Sequence, residues 1–460
     1  MRLAKQKQQS MLHGPLFSSI ISYTIPIMLT GLLQLLFNAA DLVIVGRFCG
    51  SISVAAVSAT GAIIYLIVNL FIGLSVGAGV AVAHGLGGQQ DGEVHQTVHT
   101  ALPVALVSGA VLTIVGVLFS KTFLELMGTP ISVLPLSTVY MQIYFAGITF
   151  SMVYNYCASI LRAAGDTKSP LIFLTVAGVV NVGLNVIFVT MFGMDVDGVA
   201  LATTISQAVS AVLVIIALMR RKDACRLDLR KMRFYKKPLL KMIRIGLPAG
   251  IQGSLFSISN VIIQSSINSF NSEILMSGNG AASNLEGFVY VMMNSFHQTA
   301  VNYIGQNKGA HQFDRIKKIF GTCVLYVGIV GLISGFCLWY FGRDLLSIYI
   351  TDTPQAIDYG MTRLTYIALP YFVCGLMDVS TGGLRGLGAS TVPMIISVLG
   401  VCGIRILWIY TIFQMPQFHT QECLYLSYII SWLITFVAQT IAFILVYKRQ
   451  KRQDLQLATA

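Results

Sequence analysis

Apolar runs recur from residue 16 to residue 447, and each is long enough, at about 20 residues, to cross a bilayer as a helix. Twelve can be counted: roughly 16–45, 52–83, 95–118, 132–160, 169–192, 198–219, 239–267, 278–305, 317–340, 357–383, 391–413 and 423–447. Mean hydropathy is +0.75 and only 10% of residues are charged, which leaves little for a soluble domain. The sequence therefore predicts an all-α polytopic membrane protein with twelve transmembrane helices. Several runs exceed the crossing length and must tilt, bend or project into water. Pro26 and Pro248, each early in such a run, are the natural bend points. The first run follows a basic, polar leader, lacks a convincing cleavage site and is too long for a signal-peptide core, so it reads as a retained helix.

A net charge of +12 would suggest a nucleic-acid partner in a soluble chain. Here the basic residues sit in a few short loops, so none is expected. Arg2, Lys5 and Lys7 precede the first run, and Arg162 and Lys168 separate the fourth and fifth. A block from Arg220 to Arg244 lies between the sixth and seventh. Lys308, Arg315, Lys317 and Lys318 follow the eighth, and Lys448 to Arg452 follow the last. The opposite loops hold only Arg47, Lys121 and Arg343. By this asymmetry both termini and the central loop are expected in the cytoplasm; the plasma membrane is the expected location. The central block also suits anionic lipid.

The chain repeats itself. LRAAGDTKSPLI (161–172) matches LRGLGASTVPMI (384–395) at an offset of 223, keeping Arg, Gly and Pro in register. LGGQ (86–89) resembles KGAH (308–311) at 222. At that offset Pro26 also meets Pro248, Gly31 meets Gly253 and Asn38 meets Asn260. Collinear matches at nearly one offset indicate a duplicated six-helix unit. The expected organisation is a lobe at 1–219, a basic loop at 220–244, a second lobe at 245–447 and a tail at 448–460. Each half has an even number of spans, so their pseudo-two-fold axis should run along the membrane normal.

Three carboxylates fall inside spans: Asp41, Glu286 and Asp378. An ionised group in hydrocarbon costs at least about 2.5 kcal/mol. None of the three is duplicated. The counterpart of Asp41 is Ile263 or Gln264, that of Asp378 is Asn155, and that of Glu286 is Ile64. Low dielectric disfavours a charged carboxyl, so such a group can take up a proton or bind a cation. The plainer readings are a carboxylate at the outer interface pairing with Arg47 for Asp41, a packing hydrogen bond for Asp378, and a wet span start for Glu286.

Amides and hydroxyls gather around these positions. Asn38 lies one turn before Asp41. Asn155 lies in the fourth span, Asn181 and Asn185 lie four apart in the fifth, Thr203 is in the sixth, and Asn260 is in the seventh. Such groups often only join helices, but their concentration suggests a polar pocket in the first half. His84, His95 and His99, irregularly spaced near one cytoplasmic turn, read as a wet loop rather than a metal site. The eight cysteines show no metal or disulfide spacing. No nucleotide or hydrolase motif appears, so neither ATP-driven transport nor an enzyme is indicated, and no cofactor is called for.

Several motifs together resemble the multidrug and toxic compound extrusion (MATE) family: FNAADLVIVGRFCG in span one, LGGQQDGEV after span two, LRAAGDTKSP, NVGLNVIFV, NLEGFVYVMMNSF, GQNKGAHQFDR and MDVSTGGLRGLG. The resemblance covers nearly the whole chain. It implies two six-helix lobes around a V-shaped cavity, and export of organic, often cationic and amphipathic compounds against inward H+ or Na+. By this resemblance Asp41 matches the span-one acid of the family's first-lobe ion site, and Asn181 matches its amide. Asn185 stands where one branch has aspartate. Asp378 resembles the span-ten acid linked to cation binding in another branch, whose span-seven glutamate has no clear counterpart here. The ion-coupling candidates are thus Asp41, Asn181, Asn185, Asp378 and Glu286, and the cavity candidates are Asn38, Asn155, Thr203 and Asn260. The expected partners are small organic substrates and membrane lipid, for a monomer. A lipid-linked flippase of related plan would need a strongly basic cavity, for which Arg405 is the main intramembrane cation; a non-transporting scaffold is the third reading.

Overall fold

The computed structural model describes residues 11–350 and 353–459. Arg2, Lys5 and Lys7, part of the charge pattern above, lie outside them. Sixteen α-helices are described, numbered here from Leu16: α1 (Leu16–Phe48), α2 (Ser51–Gly87), α3 (Asp91–Leu126), α4 (Leu134–Ala146), α5 (Ile148–Ala163), α6 (Lys168–Val186), α7 (Val196–Met219), α8 (Lys236–Asn268), α9 (Glu273–Gly309), α10 (Phe313–Tyr340), α11 (Gly342–Tyr349), α12 (Pro354–Arg363), α13 (Phe372–Gly386), α14 (Thr391–Ser397), α15 (Ile404–Tyr410) and α16 (Gln421–Thr459).

Ten of the described spans, counting Pro354–Gly386 as one, are long and apolar enough to cross a membrane, and the bent pair α4–α5 makes eleven. The remaining long helix is α9, whose 37 residues would extend about 55 Å. Asn279, Glu286, Asn294, His297, Gln298 and Asn302 dilute its apolarity, and all but Asn294 and Gln298 are buried. The twelve-span architecture follows.

Span four is not one straight helix. The chain bends by 46° at Gly147, between α4 and α5. Thr204 of α7 packs against this glycine, where a Cβ would fall 2.8 Å from the threonine Cβ, so no larger residue fits the corner. Three further interruptions are π-helical: Ile187–Met191, Leu364–Ala368 and Val398–Gly403. Such turns break helical regularity and occur often at functional sites.

The described residues divide into two compact units, 11–13 with 25–254, and 14–24 with 255–350 and 353–459. Along α1 the change of unit falls between Thr24 and Ile25, beside Pro26. In the first unit α3 packs on α2, α4 and α5, and α6 on α7. Gly73 and Gly77 of α2 let the start of α8 approach to backbone contact: a Cβ on Gly246 would lie 2.5 Å from Leu74 Cα. In the second unit α9 packs on α10, α12 and α13, and α13 on α16. The start of α1 joins that unit, where Thr24 shares a 2.8 Å hydrogen bond with Thr299.

The internal repeat reappears as backbone geometry. Gly165 and Gly388 both adopt positive φ, +83° and +79°. Each closes its helix with an amide donating three residues back, at 2.9 Å to Arg162 O and 2.8 Å to Arg385 O. Gln89 and His311 are likewise paired at φ +54° and +58°. A duplicated sequence has thus kept its helix-ending turns even where, as at Gln89 and His311, neither residue is glycine.

The predicted wet histidine loop is corrected in part. His99 is 0% exposed. Residues 220–235 fold back over α3, and Asp228 N donates to His99 Nε2 at 3.0 Å, while Tyr235 N donates to Thr100 Oγ1 at 3.2 Å. Cys225 and Leu227 of the same segment are buried, and Arg221 pairs with Asp223 at 2.5 Å. Burial pushes the Cys225 thiol up to about 12.

Candidate functional site

In the first unit, four of the singled-out residues come together. Asp41 is half-buried on α1. Its Oδ1 accepts from Asn185 Nδ2 at 2.5 Å. Asn185 also donates to Asn181 Oδ1 at 3.3 Å, and Asn181 donates to Thr203 Oγ1 at the same distance. The Thr203 hydroxyl in turn donates to Val199 O at 3.0 Å. The spacing of four on α6 puts both amides on one face, toward α1 and α7. Asp41 therefore pairs with an amide and not with Arg47, which is exposed. Two acceptors remain beside each other: the carboxylate, and Asn185 Oδ1, which is buried and makes no hydrogen bond to any described residue. The π-helical turn Ile187–Met191 begins two residues beyond Asn185. An anionic oxygen next to an unused carbonyl oxygen can hold a proton or a hard cation.

The other first-half candidates stand apart. Asn155 is half-buried and, among the described residues, bonds within its own helix, to Ser151 O at 2.8 Å. Asn38 is exposed and makes no hydrogen bond with described residues. Asn260, its counterpart in the second unit, is exposed too.

The second unit holds a different arrangement. Glu286, 4% exposed, forms a two-pronged pair with Arg363: Nε to Oε1 at 3.0 Å and NH2 to Oε2 at 2.7 Å. Arg363 NH1 and Tyr425 OH both donate to Asn279 Oδ1, at 2.7 and 3.1 Å. The span start is thus dry and charge-paired, not wet. Removing one partner of such a pair costs about 3–5 kcal/mol, because the other is left buried and uncompensated. Sequence reading named Glu286 but missed Arg363, which looks like one more polar residue near a span end. The one available signal was that an apolar span contained both signs of charge.

Asp378 is buried on α13. Its backbone oxygen is 2.6 Å from His297 Nδ1, and its Oδ2 makes no hydrogen bond to any described residue. The cation acting on it is Arg385, one of whose terminal nitrogens is 3.3 Å from His297 Nε2. Nearby, Arg405 lies over the Tyr428 ring at 4.0 Å and within 5.7 Å of Trp432. A desolvated contact of this kind contributes about 2 kcal/mol.

Comparison with known proteins bears on the fold and the repeat. A family model described as MatE matches twice, at residues 26–187 and 248–411, and the two matches begin 222 residues apart. The chain is 27% identical over 396 residues to the probable multidrug resistance protein YoeA of Bacillus subtilis, covering 84% of this chain and 85% of that one. It is 22% identical over 408 residues to the FAD transporter of Shewanella oneidensis, covering 87% and 88%. A crystal structure of MATE in the bent conformation superposes with a TM-score of 0.89 at 18% identity, covering 97% of this chain and 99% of that one.

Proposed function

This chain belongs to the MATE family of multidrug efflux transporters, and on that premise we propose that it exports organic compounds by antiport against H+ or Na+, with Asp41 as a coupling carboxylate. The hydrogen-bonded row Asp41–Asn185–Asn181–Thr203 supports this reading most directly. It is a carboxylate inside an apolar span whose hydrogen-bond partner among the described residues is neutral. Scaffolding alone has no use for so costly a group. Protonation removes the charge that the Asn185 amide faces, and a bound Na+ would draw both Asp41 Oδ and Asn185 Oδ1 toward itself. Either event changes how α1 is held against α6. Differential binding of ion and cargo to two arrangements is all that alternating access requires.

Asp378, with an unbonded buried oxygen, is the proposed coupling carboxylate of the second unit. Glu286 acts there through Arg363, which already balances its charge. Asn38 and Asn260, equivalent under the duplication and both exposed, are proposed cargo contacts. The relatives are named for multidrug resistance and for FAD transport, consistent with an organic cargo, often amphipathic. The protein is proposed to act as a monomer in the plasma membrane with both termini cytoplasmic, and not as an enzyme.

The test is efflux from proteoliposomes with proton and sodium gradients imposed singly. Asp41→Asn should abolish gradient-driven efflux at unchanged protein level, and the wild type should respond to one gradient. Full efflux by Asp41→Asn would remove this residue from the mechanism.

A further inference from the structure

We propose that Arg405, with Ser431 and the rings of Tyr428 and Trp432, forms a seat for the carboxylate or phosphate group of an organic anion in the second unit. This unit holds three guanidiniums within its spans, Arg363, Arg385 and Arg405, against two buried carboxylates, Glu286 and Asp378. Glu286 is committed to Arg363, through both oxygens. Arg385 and Asp378 meet the same imidazole, His297, at Nε2 (3.3 Å) and through the Asp378 backbone oxygen at Nδ1 (2.6 Å). Arg405, 4% exposed, is the one left over among the described residues. A buried charge persists only if something compensates it.

The protein compensates only part of Arg405. Its face is covered by Tyr428 at 4.0 Å, and its Nε donates to Ser431 Oγ at 3.0 Å. The two terminal nitrogens donate no hydrogen bond to any described residue. Arg363 shows what full satisfaction looks like in the same neighbourhood: it lies 6.0 Å from the same Tyr428 ring, and all three of its nitrogens are bonded. Cation–π packing accounts for the face of the Arg405 guanidinium but not for its free edge. That edge is a fork of N–H donors, whose geometry matches carboxylate and phosphate oxygens.

The surroundings fit the body of such a ligand. Trp432 lies 5.5 Å from Tyr428 and 5.3 Å from Tyr371, a row of rings beside the cation. An anionic group carried on an aromatic body would meet the fork and the rings together. Local backbone supports a special role. Arg405 follows the π-helical turn Val398–Gly403 by two residues, and Arg363 immediately precedes the turn Leu364–Ala368. Calling the anion cargo rests on the transport reading above; the seat itself does not.

Equilibrium dialysis tests the seat on the full-length protein in phosphatidylcholine nanodiscs, without any gradient. The probes are 2-naphthyl phosphate, 2-naphthoate and the cation 2-naphthyltrimethylammonium, which share one ring system. Both anions should bind saturably, at least tenfold more tightly than the cation. Arg405→Met, which keeps the apolar stem, should weaken the anions at least tenfold and leave the cation unchanged. Ser431→Ala, which frees the Nε anchor, should weaken them several-fold, as should Arg405→Lys, which keeps the charge and loses the fork. The last two keep the question open to refutation if Arg405→Met does not fold. Equal binding of anion and cation, or anion affinity unmoved in folded Arg405→Lys and Ser431→Ala, overturns the proposal. Replacing a third of the lipid by phosphatidylglycerol separates two sources of the same chemistry. Competition identifies a lipid phosphate as the natural occupant, and unchanged affinity identifies a soluble organic anion; both support the seat. Loss of the coupling role of Asp41 would leave these binding results standing.

Discussion

Asn185 Nδ2 donates to Asp41 Oδ1 at 2.5 Å, joining two positions 144 residues apart on α6 and α1. The contact is neutral on one side, so the state of the carboxyl alone decides its strength. A charged acceptor makes the bond roughly twice as strong as a neutral one. Asn185→Leu should therefore lower gradient-driven efflux at least tenfold while leaving cargo binding measurable. Asn185→Asp should change the pH dependence of efflux, because two carboxylates at this distance do not both ionise. Initial rates between pH 5.5 and 8.5 are the measurement; a profile identical to wild type would contradict the assigned contact.

The Glu286–Arg363 pair predicts strong non-additivity. Arg363→Met alone leaves Glu286 buried without its cation and should destabilise by about 3–5 kcal/mol. Glu286→Gln should cost a similar amount for the same reason. The double variant Glu286→Gln, Arg363→Met should recover a substantial part. Thermal shifts of the four proteins in one detergent read this out, and strictly additive shifts would refute the pairing.

Gly246 sits where α8 touches the backbone of α2. Gly246→Val would force the helices apart and should cost about 1–3 kcal/mol or more. Gly183, around which a Cβ meets nothing within 4 Å, is the control, and Gly183→Ala should be near neutral. The same thermal assay compares them.

The repeated turns make a paired prediction. Gly165→Ala and Gly388→Ala each place a Cβ at φ near +80° and should each cost about 1–2 kcal/mol. Gln89→Gly should gain by relieving the same strain, whereas His311→Gly also gives up the His311–Asp454 contact and should gain less. A large difference in thermal shift between Gly165→Ala and Gly388→Ala would show that the duplicated turns are no longer equivalent.

Cys225 lies outside the spans, and its burial sets a pH sign. The folded protein holds the thiol proton more tightly, with the pKa raised from 9.0 to about 12. The associated stabilisation is complete below pH 9 and is lost as pH rises toward 12. Near pH 8 the shift cuts the thiolate fraction roughly a thousandfold. A variant retaining only Cys225 should react with maleimide far more slowly when native than when unfolded. Disrupting the clamp with His99→Ala should accelerate the reaction; equal rates in the two native proteins would mean that residues 220–235 do not depend on His99.

Much of this protein follows from its sequence alone, because the properties concerned are local. Apolar runs declare helices wherever they sit, since the bilayer length sets their scale. The duplication was visible in LRAAGDTKSPLI and LRGLGASTVPMI, and the structure keeps it at Gly165 and Gly388 as matched backbone angles. Asp41, Asn181, Asn185 and Thr203 could be singled out because polar groups in apolar runs are costly wherever the fold puts them. What the sequence could not supply was the partner of each group. That His99 is buried, that Glu286 is balanced by Arg363, that Asp41 meets Asn185 and not Arg47, and that Arg405 keeps an unfilled edge were decided by tertiary structure. Each depends on which distant segment arrives within about 3 Å, and hydrogen bonds and ion pairs fall off over distances that sequence spacing does not encode.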